Sequence, residues 1–361
     1  MYPRLVMDIE KLSGNIDAVS EIAKERGGCS LMIVTKALCA DEKVVKMIAE
    51  HPAVNYIADS RVQNIMKNYD AIRAGGKESV LLRLPMADEI ENVVKYVDIS
   101  FNSEITTVEM LDEEAARQGK KHKVVLMVDV GDLREGIFFR NEDEIIETAR
   151  RINDMSNVEL FGLGVNLTCY GAIIPKYDNL STLCEIAEKI EAAVGIRLNM
   201  ISGGNSSSIY LVDKGELPER INNLRLGEAF LLGNDTAYGT RLPGTADDAI
   251  ILEAQIIELK EKPSLPIGEV GVDAFGQKPY YEDRGIIKRA ILAIGQQDMD
   301  RDSMYPVDEQ IDVLGASSDH MLLDVSKADR QYKVGDIVSF RLGYGSVLKA
   351  ATSPYVGKAY K

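Results

Sequence analysis

A lysine that leaves an apolar stretch, as Lys36 does in Leu31-Met-Ile-Val-Thr-Lys36, is costly to bury unless its amine is used. In a half-desolvated site such an amine becomes a nucleophile toward carbonyl carbon. At an ordinary strand end it would instead snorkel to water. A second signal is Ser202-Gly-Gly-Asn-Ser-Ser-Ser208, with Arg225-Leu-Gly227-Glu228 following shortly after. Glycines let backbone N–H groups approach an anion, and Asn205, Ser206 and Ser207 add side-chain donors. The same string would also serve as a plain helix cap after a tight turn. A third is Asp129-Val-Gly-Asp-Leu-Arg134-Glu-Gly136. Its arginine could grip a carboxylate in two-pronged fashion, or could pair at the surface with Asp132 or Glu135. Asn166, at the end of another apolar run, could bond a ring substituent or be an ordinary loop residue.

These residues need elements to position them. Short apolar runs over 31–35, 55–58, 80–84, 97–101, 123–130, 160–165, 198–201 and 223–226 alternate with amphipathic stretches over 9–25, 42–50, 60–74, 87–95, 104–118, 142–153, 179–194, 206–212 and 228–231. Such runs read as parallel strands buried on both faces between helices. Eight of them predict an α/β fold, a (β/α)8 TIM-type barrel over 10–235. An open doubly wound sheet is the alternative, but no G-x-G-x-x-G follows the first strand. From 236 to 361 the pattern changes to strands over 249–259, 290–294, 321–325 and 337–342, punctuated by Pro and Gly. This predicts a C-terminal mostly-β domain, which residues 1–9 could join. In a barrel the chemistry sits at the C-terminal strand ends, and phosphate binds at the loops after strands seven and eight. Lys36, Arg134, Asn166, Asn205 and Arg225 all fall at such ends.

Composition narrows the function classes. A net charge of −15 argues against nucleic acid and suits a solvated surface or attraction of cationic substrates. No apolar run approaches the roughly 18 residues of a membrane span, and Met1-Tyr2-Pro3-Arg4 does not open a signal peptide. Cys29, Cys39, Cys169 and Cys184 form no C-x-x-C pair, so reduced thiols and a cytoplasmic location are expected. His51, His122 and His320 are far apart, without an HExxH motif, so no metal is assigned.

Val34-Thr-Lys36-Ala, Asp129-x-Gly-x-x-Arg134, Gly203-Gly-Asn205-Ser206 and Arg225-x-Gly227 occur in the order found in alanine-racemase-type (fold-type III) pyridoxal-phosphate enzymes, and the chain resembles that family over nearly its whole length. Gly315, Asp319 and Asp324-Val325 resemble a strand of the family's β domain. Gly164-Val-Asn-Leu-Thr-Cys-Tyr170, Lys262-Pro-Ser-Leu-Pro-Ile-Gly-Glu269 and Gly271-Val-Asp-Ala-Phe275 are similar to the ornithine-racemising branch. The resemblance implies pyridoxal 5'-phosphate joined covalently to Lys36. Asn205, Ser206, Gly227 and the N–H of Glu228 would hold its phosphate. Arg225 would face the ring nitrogen, and Arg134 would serve both the phenolic oxygen and the substrate carboxylate. It further implies two-base Cα proton transfer on an amino acid, expected here to be a basic diamino acid such as ornithine, in a homodimer whose site is completed by the partner's β domain.

Some positions depart from the family. A tyrosine is replaced by Ala40, a carbamylated lysine by Met127, and a histidine by Asn166. The opposite-face base has no clear match. Asp273 and Tyr281 are assigned, with Tyr280 and Tyr238 as further candidates. Asp319 is assigned to the distal ammonium, with Glu269, Asp273 and Glu282 as alternatives. The competing readings are a fold-type III lyase of the D-threonine aldolase or D-serine dehydratase type, for which Asp319-His320 hints at a metal, and a non-catalytic pyridoxal-phosphate-binding homeostasis protein.

Overall fold

The computed structural model describes residues 1–361, which divide into two compact units. Leu12–Ala246 forms one, and Met1–Lys11 with Asp247–Lys361 forms the other. In the first unit eight parallel strands run Ser30–Val34, Tyr56–Asp59, Glu78–Leu81, Ile99–Asn102, His122–Asp129, Val158–Gly164, Met200–Asn205 and Asn223–Leu226. Each pairs with the next, and the eighth returns to the first with Leu224 opposite Leu31, which closes the barrel predicted from sequence. A two-residue strand, Ile137–Phe138, adds to the end of the fifth.

Alternation decides what fills the barrel. Met32, Val34, Ala58, Val80, Ile99, Phe101, Val125, Met127, Phe161 and Met200 form one buried cluster. Phe101 takes so much of that space that the sixth strand needs glycine opposite it. A Cβ on Gly164 would stand 2.9 Å from the Phe101 ring and 3.0 Å from Met127 Sδ. The other side chains of these strands, such as Ile33, Leu126 and Leu163, are also fully buried, which is why the strands read as continuous apolar runs.

Two helical expectations need correction. The stretch 60–74 is two helices, Val62–Lys67 and Tyr69–Ala74, interrupted at Asn68. The Asn68 side-chain amide donates to the carbonyls of Ala40 (3.0 Å) and Asn64 (3.1 Å), while its backbone N–H turns to the Ile65 carbonyl at 3.1 Å. The stretch 9–25 is an α-helix, Ile9–Ser20, that widens into a π-helical turn, Glu21–Arg26.

The second unit is built around the strand Ile250–Pro263. Its first half pairs antiparallel with Ile337–Leu342 and its second half with Ile286–Leu292. Met321–Asp324, Asp312–Ala316 and Met304–Pro306 extend the sheet. Arg4–Met7 joins it, antiparallel to Ile250–Pro263 and parallel to Gly357–Tyr360. Leu5, Met7, Leu252, Ala254, Ala290, Leu292, Leu323 and Phe340 supply its core. The helix Tyr344–Thr352 in this unit, which begins around Gly343 and Gly345, has no counterpart in the sequence reading, whose last element ends at 342. Both fit the structure because a side chain there would press on Ser303 or Asp300.

Candidate active site

The first barrel strand stops at Val34, and Lys36 opens a 3-10 turn, Lys36–Leu38. Cys39 and Ala40 then adopt left-handed backbone, with φ of 53° and 44°. Two such residues in a row are uncommon without glycine, at a cost of roughly 1 kcal/mol or more each. Braces on both sides hold the turn. Thr35 Oγ1 donates to the Asp59 carboxylate at 2.7 Å, and the Ala40 carbonyl accepts from Asn68 Nδ2 and from Lys67 Nζ at 3.1 Å. Asp59 is fully enclosed and also accepts from Arg61 N–H (2.9 Å) and Asn64 Nδ2 (3.0 Å). Burial lifts its carboxyl above the usual range, and the Thr35 and Asn64 hydrogen bonds only partly oppose that. Lys36 itself is exposed, and its amine has no hydrogen-bond or ion-pair partner. Of the two settings the sequence left open, half-desolvated or reaching to water, this is the second. The amine is free because the rigid parts of the turn surround its backbone rather than its tip.

The loops after strands seven and eight are stitched together. Asn205 Oδ1 accepts from Ser207 N–H at 2.8 Å, and its Nδ2 donates to the Leu167 carbonyl at 2.9 Å. Ser206 Oγ accepts from the N–H groups of Gly227 (3.3 Å) and Ala229 (3.1 Å). Sequence reasoning assigned Asn205, Ser206 and Gly227 to an anion directly, whereas here they hold one another, as a helix cap would. The hydroxyl left without any partner is that of Ser207, which is wholly buried. Gly227 lies against strand one, where a Cβ would sit 3.5 Å from Val34 Cβ, so this loop and the Lys36 turn share one end of the barrel. Burial raises the Glu228 carboxyl, and the charge of Asp235 adds to that.

Arg225 is buried on the same end of strand eight. Nη1 donates to Ser202 Oγ and Nη2 to the Val165 carbonyl, both at 2.6 Å, and the guanidinium lies 5.1 Å from the Phe101 ring centroid. Burial lowers its pKa to about 10, against the opposing charge of Glu135, so it remains a cation at neutral pH.

Arg134 and its neighbours come from the loop after strand five. Glu135 takes the Arg134 guanidinium two-pronged, through Nε and Nη2, and this hydrogen-bonded pairing raises the arginine pKa. Asn166 stands between two donors. Turned one way its oxygen accepts from Asn205 Nδ2 at 3.3 Å, and turned the other way from Arg134 Nη2 at 3.2 Å. Asp132 does not pair with Arg134. It is 2% exposed and accepts from the N–H groups of Thr168, Tyr170, Gly171 and Ile173 at 3.0–3.4 Å, tying the strand-five loop to the strand-six loop. Cys169, also in that loop, brings its sulfur to 3.3 Å from Asn205 Nδ2. Sequence reading gave no role to Cys169, and treated Asp132 and Glu135 only as ion-pair partners.

The residues assigned from the second unit sit in the connections between that unit's strands. Asp273 is a turn cap whose carboxylate accepts from Phe275 and Gln277 N–H, both at 2.9 Å. Tyr281 is 42% exposed and its hydroxyl makes no hydrogen bond, and Tyr280 is more exposed still. Asp319 is on the surface between two strands, accepting from the Ser318 hydroxyl at 2.8 Å. No group of three or more His, Cys, Asp or Glu residues is arranged to hold a metal, and no helix is long and apolar enough to cross a membrane.

The barrel end therefore offers an unpaired amine, a buried orphan hydroxyl beside two stitched loops, and a buried arginine beyond. This donor set fits a phosphate-bearing aldehyde with a polar ring. Residues 7–235 match the family described as alanine racemase, N-terminal domain. The chain is 53% identical to the ornithine racemase of Acetoanaerobium sticklandii over 358 residues, 99% of each chain. It is 38% identical to the lysine racemase of Thermotoga maritima over 363 residues, 100% of this chain and 99% of that one. Its fold is similar to that of the Bartonella henselae alanine racemase solved with covalently bound pyridoxal phosphate, with a TM-score of 0.72 at 16% identity, covering 99% of both.

Proposed function

This chain belongs to the alanine racemase family, and we propose that it interconverts the L and D forms of a basic diamino acid, ornithine before lysine. The observation that carries the reading is the free Lys36 amine on the barrel end that also bears the Ser206–Gly227 stitch, in a chain similar along its whole length to an ornithine racemase. Pyridoxal phosphate, the family's cofactor, supplies the electron-withdrawing ring that makes the Cα proton of a bound amino acid acidic.

In this reading Lys36 Nζ would hold the cofactor covalently and would carry a proton to or from Cα on one face. Ser207 Oγ, the Ser206 hydroxyl hydrogen and the N–H of Glu228, which are not spent on the stitch between the loops, would hold the phosphate, with Asn205 and Gly227 shaping the cradle around it. Arg225, fixed by Ser202 and Val165, would present a positive charge to the ring nitrogen. An arginine there disfavours ring protonation, which suits simple proton exchange. Arg134 and Asn166 orient the substrate carboxylate and the ring substituent. The opposite face is served by the β domain of a second subunit in a homodimer. Tyr281 fits that task better than Asp273, whose carboxylate already accepts two backbone hydrogen bonds. The exposed apolar side chains of the same segment, Ile267 and Val272, support a partner surface there. Asp319 is assigned to the distal ammonium, and four free thiols suit the cytoplasm.

The test is a spectrum of the purified holoprotein before and after borohydride, followed by loss of optical rotation over a panel of L-amino acids. The wild type is expected to be yellow and fixed by borohydride, Lys36→Ala not to be fixed, and ornithine to turn over fastest. Tyr281→Phe is expected to lower kcat by about 10²–10⁴, the span typical of a lost general base. Colourless protein after addition of pyridoxal phosphate, or alanine turning over faster than ornithine and lysine, refutes the reading.

A further inference from the structure

We propose that Glu135 is the positioning residue that aims Arg134, presenting one chosen edge of its guanidinium to the substrate carboxylate. The inference rests on the substrate-binding role given to Arg134 above.

The two residues are adjacent in the chain but unequally anchored. The Arg134 side chain is 40% accessible and that of Glu135 is 17%. Just after Glu135 the backbone is clamped to the barrel. Gly136 adopts φ of 125°, and a Cβ there would lie 2.5 Å from Asp129 N. Ile137 then pairs with Val128 of strand five, and Phe139 N–H donates to the Asp129 carbonyl at 2.9 Å. Glu135 is thus the rigid partner and Arg134 the mobile one.

The pairing consumes a defined part of the guanidinium. The carboxylate takes Nε and one hydrogen of Nη2, one oxygen each. The edge left over is Nη1 with the second Nη2 hydrogen, which Asn166 takes in only one of its two amide orientations, and this fork matches a carboxylate. An arginine freed from Glu135 would lose this orientation to its many rotamers.

An exposed ion pair between chain neighbours contributes little. Glu135 differs because its side chain is only 17% accessible and it also feels the charge of Arg225. Burial alone would raise its carboxyl, but the hydrogen bond from Arg134 and the charges of both arginines bring it below the ordinary value. One carboxylate therefore lies in the field of two cations of the site.

The test uses holoenzyme carrying Glu135→Gln, Glu135→Asp, Arg134→Lys and the Arg134→Lys/Glu135→Gln double change. Glu135→Gln should raise KM for L-ornithine about tenfold while kcat falls by less than about threefold, since it removes orientation of a binding group. Inhibition by 5-aminopentanoate, a carboxylate without an α-amine, should weaken in parallel. Glu135→Asp, which keeps the charge, should recover most of the loss. In the Arg134→Lys background Glu135→Gln should add less than about twofold, because the group it aims is gone. The affinity of the apoprotein for pyridoxal phosphate should stay within about twofold, which general damage to the barrel end would not allow. Wild-type KM in Glu135→Gln, or an equal effect with and without Arg134, overturns the proposal. Failure of the racemase reading is distinct, since wild-type holoenzyme would then leave ornithine optically active, and that result overturns both.

Discussion

Replacing Asp132 by Asn tests whether one buried carboxylate holds two loops of the site together. Oδ1 accepts from Thr168 (3.0 Å), Gly171 (3.0 Å) and Ile173 (3.4 Å), and Oδ2 accepts from Tyr170 (3.2 Å). Asparagine keeps only one acceptor. If its oxygen takes the Oδ1 place, its NH2 faces the Tyr170 N–H, donor against donor, and a buried pair goes unsatisfied at about 1–3 kcal/mol. The three remaining bonds lose their charge assistance, roughly half their strength. Thr168 and Ala172 also sit in left-handed backbone, with φ of 74° and 54°, and so add strain that favours release. Together these give about 3 kcal/mol. Much of the strand-six loop is exposed, so it will open locally rather than unfold the barrel. Hydrogen exchange at the amides of 168, 170, 171 and 173 should accelerate by about 100-fold, since each 1.4 kcal/mol is a factor of ten, while the global melting point shifts little. KM should rise as well, because Asn166 and Cys169 belong to the released loop. Wild-type exchange at those four amides would refute the argument that the carboxylate pins the loop.

Other outcomes follow from the same geometry. Ser207→Ala removes a hydroxyl that bonds to nothing in the apoprotein, so its thermal stability should be unchanged. Its affinity for pyridoxal phosphate, measured by fluorescence titration, should fall about fivefold, the value of one hydrogen bond of about 1 kcal/mol. Gly164→Ala forces a methyl against Phe101 and Met127 and should cost about 2 kcal/mol, lowering Tm by roughly 4–8 °C in a thermal melt. His122 is held neutral by burial, with its pKa lowered from 6.5 to about 4 and its Nε2 2.8 Å from Ser100 Oγ. Its unfolded form takes up a proton first, so stability should decline as pH falls from about 6.5 to about 4 and be unaffected by this group above that window. Denaturant titrations should show a shallower acid slope for His122→Gln, and an unchanged slope would contradict the assignment.

The barrel was legible because strands buried on both faces leave an unmistakable apolar record, with Met32, Val34, Ile99 and Phe101 inward and Ile33, Leu126 and Leu163 outward. Lys36 stood out because a charge next to such a strand is rare. The division of labour around Arg134 was not legible. Asp132 and Glu135 are both acids within two residues of it, and nothing in their order says that one pairs with the arginine and the other caps a distant loop. That choice is made by Gly131 and Gly136, whose positive φ turns the backbone and sends the two carboxylates different ways. The break at Asn68 was hidden for a similar reason. Its competing partner, the Ala40 carbonyl, is remote in sequence and is brought within reach only once the Lys36 turn has formed.

The strand Arg4–Met7 has a consequence for how the molecule is made. It leaves the ribosome before Leu12–Ala246, yet its antiparallel neighbour begins at Ile250 and its parallel neighbour at Gly357. The whole of Leu12–Ala246 is synthesised in between and can finish folding while this segment waits without a mate. The sheet that includes it therefore assembles only after Leu12–Ala246 has been made. A lagging ribosome would prolong the time an apolar strand edge stays open to the wrong neighbour.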